Sequence, residues 1–532
     1  MSQHEILLDV SHLEPPEPLQ KALEAIENLR QGEHLRMLHR RKPELLYPML
    51  QKRGFSFHTF KGKQVAYEIL IWKDGDAEAE ARCQSLVKQS WDNKKARAAA
   101  NDIPKLSFEQ APPISVPLRF FLSAPVFGFL AALILMIAGP EALTSRWTPE
   151  VLAATHFIML GFATMVMMGA SLQILPVVIG TVIARSRLIS TLIYLLYIPG
   201  VIALGSAFLF RKKILFEAAA TLLGMAFTIF ISVVLYTLLT TPVKTSTSRA
   251  VQLAVFSLGI TVLIGVLMAA VYGAHGGLTT HTMTLLHLGW GFIGWAGLLI
   301  IGVSFQVVPM FQITPHYPVW LKRWMPASIT GLLIIWSFMT YFFQQKTGTN
   351  FVSMVSGVTL LALVFLYAIQ TLRMQQKRRR KIADVTVRFW QIAMLSVLVS
   401  IILVMLKIFW PDIGRSYYID LVIGILIVMG IIQSVINGML YKIVPFLVWL
   451  HLQAKQIPAA RLPNMKEVIS DKKMVTQYWL HCVSVPLLVS AVVYPETLAY
   501  PALAVYAGSM LLLWVNLLGG VRLYYTTLQQ TT

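Results

Sequence analysis

Runs of about 20 apolar residues follow one another from about residue 117 to residue 525, whereas the first 75 residues alternate apolar and polar positions over short stretches. A run of about 20 apolar residues is long enough for an α-helix to cross the hydrocarbon core of a bilayer. Twelve such runs lie near residues 117–139, 149–183, 186–210, 214–241, 250–272, 277–311, 325–344, 351–372, 387–410, 416–450, 474–494 and 498–521. The pattern therefore predicts an all-α polytopic membrane bundle of twelve helices over residues 117–525.

The first 75 residues have the periodicities of a small soluble domain. In chain order we predict a strand at Glu5–Val10, a helix at Pro18–Arg30, a strand at His34–Leu38, a helix at Pro43–Lys52, and strands at Phe55–Phe60 and Gln64–Trp72. This βαβαββ order predicts an α+β domain over residues 1–75. Since no secretory signal precedes it, we expect the domain to stay in the cytoplasm. Residues 76–116, rich in charge and alanine and then in proline, predict an exposed helix followed by a linker.

One pattern occurs three times within the apolar part of the chain. Two glycines eight residues apart are followed by Gln or Lys and then by Pro at constant spacing, and the copies begin at Gly161, Gly294 and Gly430, 133 and then 136 residues apart. The four positions of each copy fall on one face of a helix. The repetition predicts a pseudo-threefold bundle with four helices per repeat, in which helices 2, 6 and 10 carry the pattern.

Composition and charge narrow the class further. The chain is 56% hydrophobic and 13% charged, which excludes a soluble globular protein. Its two cysteines, Cys83 and Cys482, exclude a disulfide framework and an iron–sulfur cluster. The net charge of +20 follows from Lys and Arg in the even-numbered loops, which predicts that these loops and both termini lie in the cytoplasm. The localisation that we expect is the bacterial inner membrane. We expect contacts with membrane lipid and none with nucleic acid.

Ionisable groups inside a membrane cost free energy and therefore need a partner or a function. The clearest are His156 and His287, which differ in depth by only about 3 Å relative to the first glycine of their repeats. Imidazole is a ligand for haem iron and for copper. Angles of 100° per residue place the two histidines on nearly opposite faces, so whether they line one cavity stays open.

Further polar positions are weaker candidates. His281 in helix 6 and His275 in the preceding loop are candidate metal ligands. The polar intramembrane positions are Gln173, Gln306, Asp420 and Lys442. Lys442 either extends its ammonium group to the interface or, with the two glutamines, surrounds an entrance to the bundle.

The N-terminal domain resembles the TusA/SirA sulfur-carrier fold. The residues that carry the resemblance are Leu8-Asp9-Val10 and Leu13-Glu14-Pro15-Pro16-Glu17-Pro18 at the start of the first helix. The carriers have Cys-Pro where this chain has Pro15-Pro16, so the resemblance is to a cysteine-free relative found in bacterial respiratory and denitrification contexts. It implies docking or regulation rather than sulfur transfer.

The bundle resembles subunit I of the haem-copper oxidases, above all in Thr155-His156 and Pro176 of helix 2, which are similar to the nitric oxide reductase branch. The resemblance implies that His156 ligates haem. Helix 6 lacks the family's His-Pro-Glu-Val motif, helix 7 lacks its His-His pair, and helix 10 has Tyr417-Tyr418-Ile419-Asp420 where the family has His-x-His. A complete oxidase centre is therefore not expected, and the chain is more similar to NnrS-type proteins, which are associated with nitric oxide tolerance.

From these features we expect a divergent haem-copper-oxidase-like membrane protein that binds haem, with copper as a weaker expectation, through His156 and His287. It would act in nitric oxide or respiratory stress handling, with nitric oxide as its gaseous ligand and a respiratory or denitrification protein as partner. Two alternatives remain open. One is a transporter or channel without haem, lined by Gln173, Gln306, Asp420 and Lys442; the other is a cofactor-free accessory subunit that docks a respiratory partner.

Overall fold

The protein consists of a small N-terminal α/β domain followed by a twelve-helix apolar bundle. The structure, a computed structural model, describes residues 4–530 apart from residues 14–15, 61–65, 92–111, 177–182, 242–244, 276–280, 348–350, 380–383, 411–416, 456 and 458–461. Both parts of the predicted architecture are confirmed.

The N-terminal domain has the predicted βαβαββ order. Its elements are β1 (Glu5–Asp9), α1 (Glu17–Glu27), β2 (His34–His39), α2 (Leu46–Lys52), β3 (Phe55–Phe60) and β4 (Tyr67–Lys73). The sheet order is β1-β2-β4-β3, with β1 parallel to β2 and the other pairs antiparallel. Alternate residues of a strand point to opposite faces, so Ile69 and Ile71 pack with α1 and α2 while Leu70 and Trp72 face the other side.

A third helix, in the predicted position, packs one side against that second face. Helix α3 (Ala77–Trp91) buries Ala79 and Cys83 against the sheet. Burial raises the pKa of the Cys83 thiol to about 12, so this cysteine is unreactive at neutral pH. At the start of the helix, Asp76 accepts hydrogen bonds from the backbone N–H groups of Gly32 and Ala79, at 2.6 and 3.1 Å, which lower the pKa of its carboxyl group.

Twelve helices are long and apolar enough to cross a membrane within the part of the chain that the structure describes. They are α4 (Ser115–Ala138), α5 (Pro149–Gln173), α6 (Ser186–Phe210), α7 (Lys213–Thr240), α8 (Ser246–Gly273), α9 (His281–Phe311), α10 (Val319–Phe342), α11 (Phe351–Gln376), α12 (Val385–Phe409), α13 (Tyr418–Ala454), α14 (Asp471–Val493) and α15 (Pro495–Gln529). The chain is thus a multi-pass membrane protein by the length and composition of its helices.

The three repeated helices share an irregularity that the sequence did not reveal. Each of α5, α9 and α13 contains a π-helical segment, at Phe157–Thr164, Gly289–Gly297 and Leu426–Gln433. Each segment includes the first glycine of its repeat. Since π-helical hydrogen bonds connect residues five apart rather than four, side-chain directions counted at 100° per residue fail across these segments.

The repeated glycines pack in the same way in all three repeats. Each first glycine contacts a residue of the preceding helix, and each second glycine contacts the residue seven positions earlier in that helix. The contacted residues are Phe127, Ser257 and Ser396 for the first glycines and Phe120, Ala250 and Phe389 for the second. A Cβ on Gly302 would lie 2.5 Å from the Cβ of Ala250. The pattern therefore marks close helix contact, and the helix pairs α4–α5, α8–α9 and α12–α13 repeat one geometry.

The N-terminal domain rests on the end of the bundle where α9 and α13 finish, which we call the domain face. Trp449 is fully buried and, with Leu450, joins the core formed by α1, α2 and the sheet. The Arg41 guanidinium donates a hydrogen bond to the carbonyl oxygen of Pro309 at 3.1 Å, and Lys466 lies 3.5 Å from Glu17. Apolar packing thus holds the domain on the bundle, and polar contacts orient it.

We expect Trp449→Ala to loosen this docking, because it removes a buried aromatic side chain whose truncation costs about 3–5 kcal/mol in a well-packed core. Limited proteolysis of the purified protein measures the effect as faster release of the N-terminal domain. Trp479→Ala is the matched control, since Trp479 lies in α14 and is 54% exposed. Equal cleavage rates in the two variants would contradict the proposed role of Trp449.

Candidate functional site: a histidine pair between two repeats

His156 is held in one tautomer by its own helix. It is the last residue of α5 before the π-helical segment, and its Nδ1 lies 2.7 Å from the carbonyl oxygen of Leu152. A carbonyl oxygen only accepts, so Nδ1 carries the hydrogen and Nε2 has a free lone pair. The ring stacks on Phe208 of α6 with 5.0 Å between ring centroids. The nitrogen suited to a metal is therefore Nε2.

His287 has the same arrangement in the second repeat. It lies two residues before the π-helical segment of α9, and its Nδ1 is 3.2 Å from the carbonyl oxygen of Thr261 in α8. A Cβ on Gly265 would lie 3.0 Å from Cε1 of this ring, so the absence of a side chain at Gly265 lets the imidazole approach α8. Within the described residues no hydrogen bond reaches Nε2 of either histidine.

The two histidines lie within range of each other's charge. Their helices are also joined by a hydrogen bond from Trp295 Nε1 in α9 to Thr164 Oγ1 in α5, at 3.2 Å. The angular count that separated the two histidines used α-helical geometry through a stretch that is π-helical. We call His156 and His287 the histidine pair.

Aromatic side chains surround the His156 end of the pair. Phe208 makes edge contacts with Phe216 and Tyr272, at 5.3 and 5.6 Å between ring centroids. On the other side Phe157 packs against Phe127 at 5.6 Å. These rings exclude water, and a low-dielectric surrounding favours neutral imidazole, the form that binds metals.

The other predicted metal ligands do not extend this pair in the described part of the chain. His281 is the first residue of α9 and is exposed. The side chain of His275 lies outside the described residues. Among the residues that the structure describes, no group of three or more His, Cys, Asp or Glu side chains could hold a metal ion. Two imidazoles are a ligand set that haem iron could take, whereas a bare metal ion takes four ligands in most protein sites.

Asp420 belongs to an ion-pair cluster at the end of the bundle opposite the domain face. It accepts a hydrogen bond from Lys407 at the end of α12, and its second oxygen lies 3.4 Å from Arg146 in the α4–α5 connection. The carboxylate is 23% exposed. Two cations next to one partly exposed carboxylate account for its presence there, since a partnered charge costs less than a lone one.

Lys442 is also paired, which neither of the two expected roles included. Its Nζ lies 2.7 Å from Asp384, whose other oxygen accepts a hydrogen bond from the backbone of Val387 and caps α12. Of the two repeat-equivalent glutamines, Gln173 is buried and Gln306 is half-buried, and neither side chain has a hydrogen-bond partner among the described residues. Asp420 and Lys442 are therefore ion-paired near opposite ends of α13.

A cavity of about 80 Å³, which was not predicted, lies where α5, α9 and α13 meet. Repeat-equivalent residues line it, including Met167, Ile300 and Ile436, six positions after the first glycine of each repeat. The lining is almost wholly apolar. It follows from the threefold arrangement, because equivalent side chains surround a common axis without reaching it.

One intramembrane histidine was missing from the predicted candidates. His481 lies in α14 and is fully buried. It stands within the apolar run near residues 474–494, so the same cost of intramembrane polarity that singled out His156 applies to it. Its surroundings are polar, whereas those of His156 are aromatic.

The comparisons with known proteins concern the N-terminal domain. Residues 7–73 match the family described as "Uncharacterized conserved protein (DUF2249)". This span runs from β1 to the end of β4. No curated protein matches the chain. A function for the whole chain must therefore be argued from the geometry of the bundle.

Proposed function

We propose that the bundle binds haem, with Nε2 of His156 and Nε2 of His287 as its ligands. The observation that carries the proposal is the histidine pair itself: two imidazoles from different repeats lie within range of each other's charge, and in each a backbone carbonyl fixes the hydrogen on Nδ1. Ligating histidines in metalloproteins are oriented in this way by an acceptor on the other ring nitrogen.

The surrounding residues have defined tasks in this proposal. The carbonyls of Leu152 and Thr261 orient the rings and raise the basicity of Nε2. Gly265 provides room for the His287 ring, and Phe208 supports the His156 ring by stacking. When bound, haem supplies an iron centre that exchanges single electrons and binds small gases such as nitric oxide.

If both histidines held the iron, nitric oxide would compete with one of them for it, which favours gas sensing or electron transfer in nitric oxide or respiratory stress over catalytic turnover. The bundle contains no oxidase-type copper ligand set among its described residues, so copper is not part of this proposal.

The N-terminal domain is proposed to be a cytoplasmic docking module. It lies beside the end of α9 that leads into the α9–α10 connection, where Arg41 donates a hydrogen bond to the carbonyl oxygen of Pro309. That connection is one of the basic even-numbered loops expected in the cytoplasm of a bacterial inner membrane. The likeness to a cysteine-free sulfur carrier suggests a respiratory or denitrification protein as the partner that docks there.

Spectroscopy and metal analysis of the purified full-length protein test the proposal. We expect a Soret band, iron near one per chain, and a shifted Soret band when nitric oxide is added to the reduced protein. The absence of both a Soret band and iron from protein expressed with added haem precursor would overturn haem binding. A Soret band that nitric oxide leaves unchanged would limit the function to electron transfer.

The transporter alternative is less well supported by the structure. It needed Asp420 and Lys442 on a polar path, but both are ion-paired near opposite ends of α13. A cofactor-free accessory role predicts the same docking by the N-terminal domain but no Soret band. The spectroscopic measurement therefore separates it from the proposed function.

A further inference from the structure

The interior between α13, α14 and α15 is polar, unlike the axis of the bundle. Eight buried polar side chains lie on the facing sides of these helices: Gln433, Ser434, Asn437, Gln477, His481, Ser484, Ser509 and Asn516. Polar groups buried in a membrane bundle need hydrogen-bond partners, since lipid provides none. The hydrogen bonds among these side chains therefore show whether the polar interior is satisfied from within the protein.

The hydrogen bonds form levels along the bundle axis. Farthest from the domain face, His481 Nε2 lies 2.8 Å from Ser434 Oγ. One turn nearer, Gln477 Nε2 donates to Ser509 Oγ at 3.0 Å. At the end, Asn516 Nδ2 donates to the Tyr441 hydroxyl at 2.9 Å and to the carbonyl oxygen of Lys473 at 3.3 Å.

These levels lead to the surface. Residues 473, 477 and 481 are four apart, so they lie on one face of α14, and the whole series spans about 12 Å at 1.5 Å per residue. Lys473 is exposed, two residues after the start of α14 on the domain face, whereas His481 is fully buried. Asn437 lies between Ser434 and Tyr441 on α13, three and four residues from them, which places it at the middle level.

Several atoms at these levels lack partners. Among the described residues no hydrogen bond is made by either amide atom of Asn437, by Gln477 Oε1, by His481 Nδ1 or by Asn516 Oδ1. Ser434 Oγ lies 3.2 Å from the carbonyl oxygen of Met429 and 2.8 Å from Nε2 of His481, whose Nδ1 has no partner. Every level thus contains at least one unpaired polar atom, and unpaired buried polar atoms destabilise a protein unless water reaches them.

The polarity is specific to the third repeat. Asn437 stands seven positions after the first glycine of its repeat, and the equivalent residues of the other repeats are Met168 and Ile301. All three positions are buried, but only Asn437 is polar. An apolar side chain therefore fits the helix geometry at this position, and only the third repeat has a polar residue there.

We propose that α13, α14 and α15 enclose a column of water that opens at the domain face near Lys473 and ends at His481. The unpaired atoms of Asn516, Gln477, Asn437 and His481 are its hydrogen-bonding sites. The column brings exchangeable water, and hence protons, to a histidine in the middle of the bundle. It does not depend on the histidine pair, which lies in the other two repeats.

Radiolytic hydroxyl labelling with rapid mixing into H₂¹⁸O tests the proposal on the full-length protein, because buried side chains are oxidised when water lies beside them. Met510 and Met168 form a matched pair: both are fully buried, but Met510 accepts a hydrogen bond from Gln433 at 3.3 Å, next to the His481 level. We expect Met510, His481 and Tyr441 to incorporate ¹⁸O at least several-fold faster than Met168.

Variants at Asn437 show whether the column is continuous. Asn437→Met introduces the residue of the first repeat and should reduce labelling of His481 and Met510 to the level of Met168, while Tyr441, nearer the surface, stays labelled. Asn437→Ser keeps a polar group and should retain the labelling. The proposal is overturned if His481 and Met510 in the unaltered protein label no faster than Met168, or if folded Asn437→Met labels like the unaltered protein.

Discussion

Replacing either member of the histidine pair with alanine is expected to remove haem from the protein. His156→Ala and His287→Ala each delete one imidazole of the histidine pair, in which Nε2 takes part in no hydrogen bond with the described residues. Changes to residues that merely orient a metal ligand lower affinity by about 10–100-fold, so loss of a ligand should lower the haem-to-protein ratio by more than about 10-fold. The Soret absorbance per chain after purification measures this ratio.

His281→Ala is the matched control, since His281 lies in the same helix as His287 but is exposed at its start. Its spectrum should equal that of the unaltered protein. Gly265→Ala adds a finer test, because the new Cβ would lie 3.0 Å from the His287 ring and displace it. We expect this variant to keep its fold but to bind haem more weakly and with a shifted Soret maximum. If His156→Ala, His287→Ala and Gly265→Ala all had the spectrum of the unaltered protein, the histidine pair would be excluded as the haem site.

The second large effect is expected at the repeated glycines. Gly302→Ala places a Cβ 2.5 Å from the Cβ of Ala250, so α8 and α9 must move apart. Forcing extra atoms into a packed interior costs about 1–3 kcal/mol. Heating in detergent, followed by measurement of the protein that remains soluble and monodisperse, should therefore show a lower midpoint for this variant.

The chain offers both a control and a rescue for this prediction. Gly424 in α13 has open space at its Cβ position, so Gly424→Ala should leave the midpoint unchanged or raise it slightly, because alanine favours helix. Ala250→Gly combined with Gly302→Ala restores the distance between the helices and should recover most of the lost stability. A double variant no more stable than Gly302→Ala would show that the contact is not the cause.

Most of the fold could be predicted from the sequence, because the patterns that specify it are local or repeated. Apolar runs of fixed length gave the twelve helices, and the pattern starting at Gly161, Gly294 and Gly430 gave the repeat. In the N-terminal domain, alternation and turn positions gave the βαβαββ order. The packing of α3 on the sheet was not predicted, because Asp76 and Cys83 become buried through contacts with Gly32 and the far face of the sheet.

Only part of the candidate site could be predicted, since it depends on contacts between segments that are distant in the chain. His156 and His287 were recognised by the cost of intramembrane histidine, but their proximity was not, because the π-helical segments alter the directions of side chains. The partners of Asp420 and Lys442, such as Arg146 and Asp384, come from other helices or connections and leave no local pattern.

The repeated glycine contacts set the spacing between helices, whereas residues on other faces determine what each repeat encloses. Because the glycines fix the distance between neighbouring helices, residues on other faces can change without moving the helices. The first two repeats carry the histidine pair at their junction, whereas the third repeat has a polar interior. A substitution in the polar interior of the third repeat should therefore leave the histidine pair in place, and a substitution in the pair should leave the polar interior intact.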